Sequence, residues 1–178
     1  MSARARFDRR ILGAAAFRDW FGASRAVDGK NRPLVLYHGT NQPFAEFHAA
    51  KVGGRHTDWD IGPAFYFSAF PASASAYAES RWSQRDETPA SGANVMPVFL
   101  RILNPLIEDF QELAAFDWLA GAIEKAKDNG HDGLIAVDIE DGVIDTQYVV
   151  FSPAQIRSIY SFHDALELRR TRQPVFST

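Results

Sequence analysis

The sequence predicts an α+β fold built on a mostly antiparallel or mixed sheet with a few flanking helices. Short apolar runs bounded by Gly, Pro or Asn outnumber the helical patterns. The helices fall early and in the middle instead of alternating strictly with strands, which argues against a βαβ repeat. A chain of 178 residues with 46% apolar and 23% charged residues fits one folded domain.

The elements follow in order. Ile11 to Phe21 places Leu12, Ala15, Ala16 and Trp20 on one helical stripe, with Gly22 as a C-terminal stop. Asp28-Gly29-Lys30-Asn31 is a polar turn before the strand Leu34-Val35-Leu36-Tyr37, which His38-Gly39-Thr40 should end. The stretch to Pro63 is too irregular for a long element and reads as a functional loop. Ala64 to Ser68 is an aromatic strand, and Pro71 opens a helix, where its missing N–H costs nothing. Val95 to Ile102 is a strand whose Pro97 requires an edge or a bulge. Asn104-Pro105 breaks the chain, and apolar residues at 113, 116, 119, 120 and 123 give Phe110 to Lys127 a helical period. Leu134 to Val137, Gln147 to Phe151 and Ile156 to Tyr160 complete five or six strands. Residues 1–12 read as a tail or junction, 13–162 as the domain, and 163–178 as a C-terminal tail.

Composition narrows the chemistry. A net charge of −3 gives no broad cationic field for nucleic acid. With no cysteine there is no disulfide, thiolate metal site or cysteine nucleophile. His38, His48, His56, His131 and His163 form no HxH or HExxH pair, so no metal site is expected. No apolar run reaches the roughly 20 residues of a bilayer span, and the N-terminus lacks the apolar stretch of a signal peptide; a soluble protein is expected.

Three segments set polar groups on apolar strands: Tyr37-His38-Gly39-Thr40, Phe65-Tyr66-Phe67-Ser68 and Thr146-Gln147-Tyr148-Val149-Val150. A histidine and a hydroxyl flanking a glycine offer a ring nitrogen, a hydroxyl and a bare backbone amide to a close ligand, a set that suits ribose and carboxamide. An aromatic strand beside it offers a flat face to a planar heterocycle, and a polar residue opening a third strand can hold a ribose hydroxyl. Singly, each has a plainer use: His38 as a structural histidine, Tyr66 as core, Gln147 as a strand-edge polar residue.

In order, YHGT (37–40), AFYFS (64–68) followed by SAYA (75–78), and QYVVFSPAQI (147–156) resemble the histidine–tyrosine–glutamate class of ADP-ribosyltransferases, the diphtheria-toxin-like and poly(ADP-ribose)-polymerase-like enzymes. The resemblance runs from about Phe17 to Ile159. The opening FRDWFGASRAVDGKNRPLVLYHGT looks most like the compact bacterial and phage branch found in polyvalent or toxin proteins. It implies a split, mostly antiparallel sheet, NAD as co-substrate without a metal, and a mono-ADP-ribosyltransferase of toxin or effector type. That enzyme would act in a cytoplasm, on a protein or nucleic-acid acceptor, with an immunity or antitoxin protein as a further partner. By the same resemblance His38 and Thr40 would bond the ribose, Gly39 would anchor the nicotinamide carboxamide, Tyr66 is the motif tyrosine and Tyr77 the tyrosine that stacks on nicotinamide. The serine that would hold the carboxamide is out of register: Ala74 stands there, between Ser73 and Ser75, and Ser75 is assigned. Arg55, in the loop 51–62 that would fold over the dinucleotide, could meet its pyrophosphate or be a surface charge.

The departure is Gln147, which stands where the family has its glutamate. A carboxylate there orients the ribose 2′-hydroxyl and stabilises the developing positive charge; an amide can bond but carries no charge. The glutamine fits a slower or altered transferase, an inactive NAD- or ADP-ribose-binding or structural phage module, or an introduced Glu-to-Gln change. Asp145, on the same strand face two residues earlier, and Glu140 and Asp141 before it are candidate substitutes, their plain reading being solvated turn residues. Trp59, Trp82 and Trp118 match no motif and are assigned to packing.

Overall fold

The computed structural model describes residues 11–12, 14–41, 46–51, 63–79, 93–110, 115–140 and 144–161. Arg55, Trp59 and Trp82, the loop residues 52–62, Asp141, both end segments (1–10 and 162–178) and the side chains of Trp118 and Glu140 lie outside the described residues.

Helix α1 spans Ala15–Phe21, followed by strand β1 (Leu36–Thr40), β2 (Phe65–Ser68), helix α2 (Pro71–Glu79), β3 (Asn94–Leu100), β4 (Pro105–Asp109), helix α3 (Ala115–Asp128), β5 (Gly133–Glu140), β6 (Ile144–Val150) and β7 (Ile156–Ser158). The strands form one seven-stranded sheet in the order β4-β5-β6-β2-β1-β3-β7. Every pairing is antiparallel except β4 with β5. The fold is therefore α+β with a mostly antiparallel sheet. None of the described helices is long and apolar enough to cross a membrane.

Both faces of the central strands are covered. On β5, Leu134 and Ala136 pack with Leu119, Ala122 and Ile123 of α3, while Ile135 joins Leu36, Phe65, Phe67 and Val98 on the opposite face. Burial on two sides removes the need for alternation, which is why these strands read as unbroken apolar runs. Helix α1 packs through Phe17 and Phe21, one helical turn apart, whose rings stack 5.2 Å apart, and Phe17 meets Phe99 of β3 edge-on at 4.9 Å. The expected stripe is thus corrected: Ala15 and Ala16 are exposed and the phenylalanines face the core. Ile11 is buried in the same cluster. Gly22 stops α1 with φ of 55°, its N–H bonding the Arg18 carbonyl.

Several boundaries differ from expectation; β7, for one, ends at Ser158 instead of Tyr160. Strand β1 starts at Leu36 and continues through His38, Gly39 and Thr40, because each pairs with β3, from Leu36↔Val98 to Thr40↔Asn94. A strand, β4, occupies Pro105–Asp109 where a break was expected; proline is tolerated as a first strand residue, and α3 is the crossover that returns the chain parallel as β5. Helix α3 begins at Ala115, not Phe110. Pro97 sits as required: β7 pairs with β3 only from Val98 onward, so at Pro97 the strand has a neighbour on one side.

Buried Gln155 ties the sheet's end together. Its Oε1 accepts from the Phe151 and Ser152 amides at 3.2 and 3.0 Å, and its Nε2 donates to the Arg101 and Asp132 carbonyls at 3.1 and 2.7 Å. One side chain thereby satisfies backbone groups after β3, before β5 and after β6. Gln155→Ala would strand these groups, and a loss of about 2–4 kcal/mol is expected, read as a lower urea midpoint at unchanged m-value.

Candidate functional site

Strands β6, β2 and β1 lie side by side, so Gln147, Tyr66 and His38 stand on three adjacent strands. The sheet is parted between β1 and β2: they share the single register pair Tyr37↔Ser68, whereas β1 pairs with β3 along its whole length. Beyond Tyr37 the ring of His38 spans the gap, with Nδ1 2.9 Å from the Tyr66 carbonyl oxygen. A carbonyl only accepts, so Nδ1 carries the hydrogen and the neutral ring keeps a lone pair on Nε2. The rings of Phe47 and Phe67 lie 5.2 and 5.4 Å from the imidazole. Burial lowers the His38 pKa and the carbonyl bond only partly opposes it. Burial also pushes the Tyr66 phenol up, so it stays a protonated donor.

Gly39 lies under α2. A Cβ there would come 1.8 Å from the Ala74 carbonyl oxygen and 3.1 Å from the Ala78 amide nitrogen, so only glycine lets the helix rest on the strand. Ala74 and Ala78 form the buried face of α2. Helical spacing puts Ser73 and Tyr77 on one flank and Ser75 and Glu79 on the other. The Ser75 hydroxyl donates to Glu79 Oε1 at 3.0 Å on the exposed side. Ser73 Oγ and Asn41 Oδ1, by contrast, are buried with no hydrogen-bond partner. Such groups are costly to leave unpaired, which makes them places where a bound molecule gains most.

Gln147 is 7% exposed and pairs with Ser68 of β2 on one side and Ala136 of β5 on the other. Tyr66 pairs with Val149, which makes Tyr66 and Gln147 diagonal neighbours on one sheet face. Asp145 is not a solvated turn residue. It lies within β6, 4% exposed, and its carboxylate accepts from the Ser68 hydroxyl and from the Thr146 amide. Ser68 Oγ in turn accepts from the Phe70 amide at 2.8 Å, closing the turn that leads into α2. Thr40 is buried at the end of β1. No group of three or more His, Asp or Glu side chains that could hold a metal ion occurs among the described residues.

The family model of the ADP-ribosyltransferase of polyvalent proteins matches residues 28–163, a span that holds all seven strands and every residue above. The chain belongs to that family. A search of curated proteins found no match. This ADP-ribosyltransferase domain has the split sheet that the resemblance implied, since β1 and β2 separate after one register pair. Sequence reasoning passed over Ser73 and Asn41, whose one distinguishing property is an unpaired buried oxygen, and it gave Asp145 a plainer surrounding than it has; β6 alternation was the available signal for the latter.

A histidine whose pKa is lower folded than unfolded destabilises the fold as pH falls, because below about 6.5 the unfolded chain takes up a proton that the folded chain refuses. Stability is accordingly expected to be fullest above that pH and to fall on acidification through it, and less so in His38→Gln. Urea unfolding between about pH 5 and 7.5 checks the slope, and the His38 imidazole resonance should titrate below 6.5.

Proposed function

We propose that this ADP-ribosyltransferase domain binds NAD at the parting of β1 and β2 and transfers a single ADP-ribose to a macromolecular acceptor. The observation that carries the reading is the His38–Tyr66 bridge, which fixes the imidazole tautomer and makes Nε2 the accepting nitrogen of the ring, the chemistry a ribose hydroxyl needs. Thr40 adds a second polar group two residues on, on the same face of β1. The buried, unpaired Asn41 Oδ1 and Ser73 Oγ fit a carboxamide: an amide N–H₂ for the first and a carbonyl oxygen for the second. Gly39, packed against Ala74 beside Ser73, supplies bare backbone, and Tyr77, on the Ser73 flank of α2, supplies a ring for the nicotinamide face. Of the two serines, Ser73 is favoured as the carboxamide donor, because the Ser75 hydroxyl is already given to Glu79. Arg55 is proposed for the pyrophosphate on charge alone.

In this reaction the bond from the ribose C1′ to the pyridinium nitrogen breaks, and its electron pair leaves with neutral nicotinamide. A nucleophilic atom of the acceptor then bonds C1′ and gives up its proton. The protein holds NAD bent, excludes water and orients the ribose. With Gln147 in place of a carboxylate, orientation is retained and electrostatic stabilisation of the developing cation is reduced. That favours slow single transfer over polymer growth, and it also supports a second reading, an NAD-binding module without turnover. Toxin or effector use, a cytoplasmic target and a neutralising immunity protein are part of the first reading.

Nicotinamide release and label transfer from tagged NAD into a lysate test it, with this chain beside Gln147→Glu. The glutamate variant is expected to be faster by about 10²-fold or more, the scale on which one preorganised electrostatic group acts. NAD that raises the melting temperature of both forms without turnover in either would select the binding module, and no effect of NAD on either would overturn both readings. Ser73→Ala is expected to weaken nicotinamide binding about tenfold, and Ser75→Ala by less than twofold, by calorimetry.

A further inference from the structure

The most singular titratable group near the site is Asp145, a buried carboxylate that the reading above does not use. Among the described residues it is held by a hydroxyl and a backbone amide, with no cation beside it. Leaving an ion without a counter-charge in a low-dielectric setting is expensive, and both carboxylate oxygens are engaged, Oδ2 by the Ser68 hydroxyl and Oδ1 by the Thr146 amide, so an asparagine could accept only one of the two bonds. Two neighbours report its position. Ser68, its hydroxyl partner, is the residue in register with Gln147. Tyr148 has its phenol pushed up by burial and, secondly, by the Asp145 charge. By strand alternation Asp145 and Gln147 share a face, about 7 Å apart along β6.

We infer that Asp145 supplies the negative charge that Gln147 lacks, acting through space as a positioning and electrostatic residue while the Gln147 amide bonds the ribose. This rests on the NAD reading and deepens it. The reaction gathers positive charge on the ribose carbon as the bond to nicotinamide lengthens, and a fixed anion beside that carbon favours the change without moving. Were that carbon about 8 Å from the carboxylate, at an effective dielectric near 20, the unit charge would alter such a rate roughly thirtyfold. The plainer role of Asp145 is a clamp: through Ser68 it closes the turn between β2 and α2. The two roles differ in what they predict.

The test compares steady-state nicotinamide release from NAD by the chain itself, Asp145→Asn, Gln147→Glu and the double variant, with Ser68→Ala as the clamp control. If Asp145 supplies the charge, the chain itself turns over. Asp145→Asn then lowers kcat roughly thirtyfold with KM for NAD changed less than about threefold. The same substitution beside Gln147→Glu costs only a few-fold, because the charge has been restored at 147, and Ser68→Ala leaves kcat within a few-fold. An equal loss from Asp145→Asn in both backgrounds, or a loss from Ser68→Ala as large as that from Asp145→Asn, overturns the inference in favour of the clamp. An inert chain that Gln147→Glu alone awakens also overturns it, while leaving the transferase reading intact; failure of both forms to bind NAD removes the two together. Should Asp145→Asn not fold, Asp145→Glu against Asp145→Gln repeats the contrast of charge at constant shape, with the glutamate expected to be the faster by a similar factor.

Discussion

The site depends on a place where the sheet does not close. Between β1 and β2 the backbone ladder stops after one pair, and the His38 ring takes over as the link to the Tyr66 carbonyl. A side chain doing the work of a backbone amide holds the two strands in register while leaving room between them. It also spends the Nδ1 hydrogen, so the same bond that holds the strands decides which ring nitrogen is the acceptor. Burial keeps that ring neutral, which preserves the lone pair at Nε2.

The gap stays open because the strands on each side are secured elsewhere. β1 is paired with β3 along its full length, and β2 is paired residue for residue with β6 from Phe65↔Val150 to Ser68↔Gln147. α2 then fits against Gly39 at a distance that leaves no space for a Cβ. The turn that aims this helix is closed by Ser68 and fastened to β6 by Asp145. Position on α2 follows: Ala74 and Ala78 inward, Ser73 and Tyr77 along one flank, Ser75 turned to Glu79. The tie through Ser68 therefore connects the glutamine strand to the helix that borders the opening.

In the function proposed above, glutamine on β6 separates two tasks that a glutamate would perform together, hydrogen bonding to the ribose and stabilisation of positive charge. Gln147 would keep the first by shape. The second would have to come from another anion or be forgone, and Asp145 is a buried carboxylate on the same strand.

Short apolar runs, a glycine stop after α1, a proline at the start of α2 and the spacing of the YHGT, AFYFS and QYVV segments are local features, so the sequence by itself determined the α+β class, the identity of His38, Gly39, Tyr66 and Gln147 as site residues to consider, and the family. It did not determine that β1 runs on through His38, because β3 supplies those bonds from nearly sixty residues away. Nor could it show β4, which needs β5 as a partner, or the Phe17 and Phe21 stripe, which needs Phe99. Side-chain fates were the least legible. Ser73 and Ser75 are alike in sequence and differ in which flank of α2 meets the protein, and Asp145 is buried between its β5 partner Ile139 and the Ser68 hydroxyl at the end of β2. Periodicity reports which residues share a face; what that face meets is a property of long-range contacts, and those exist only in the folded chain.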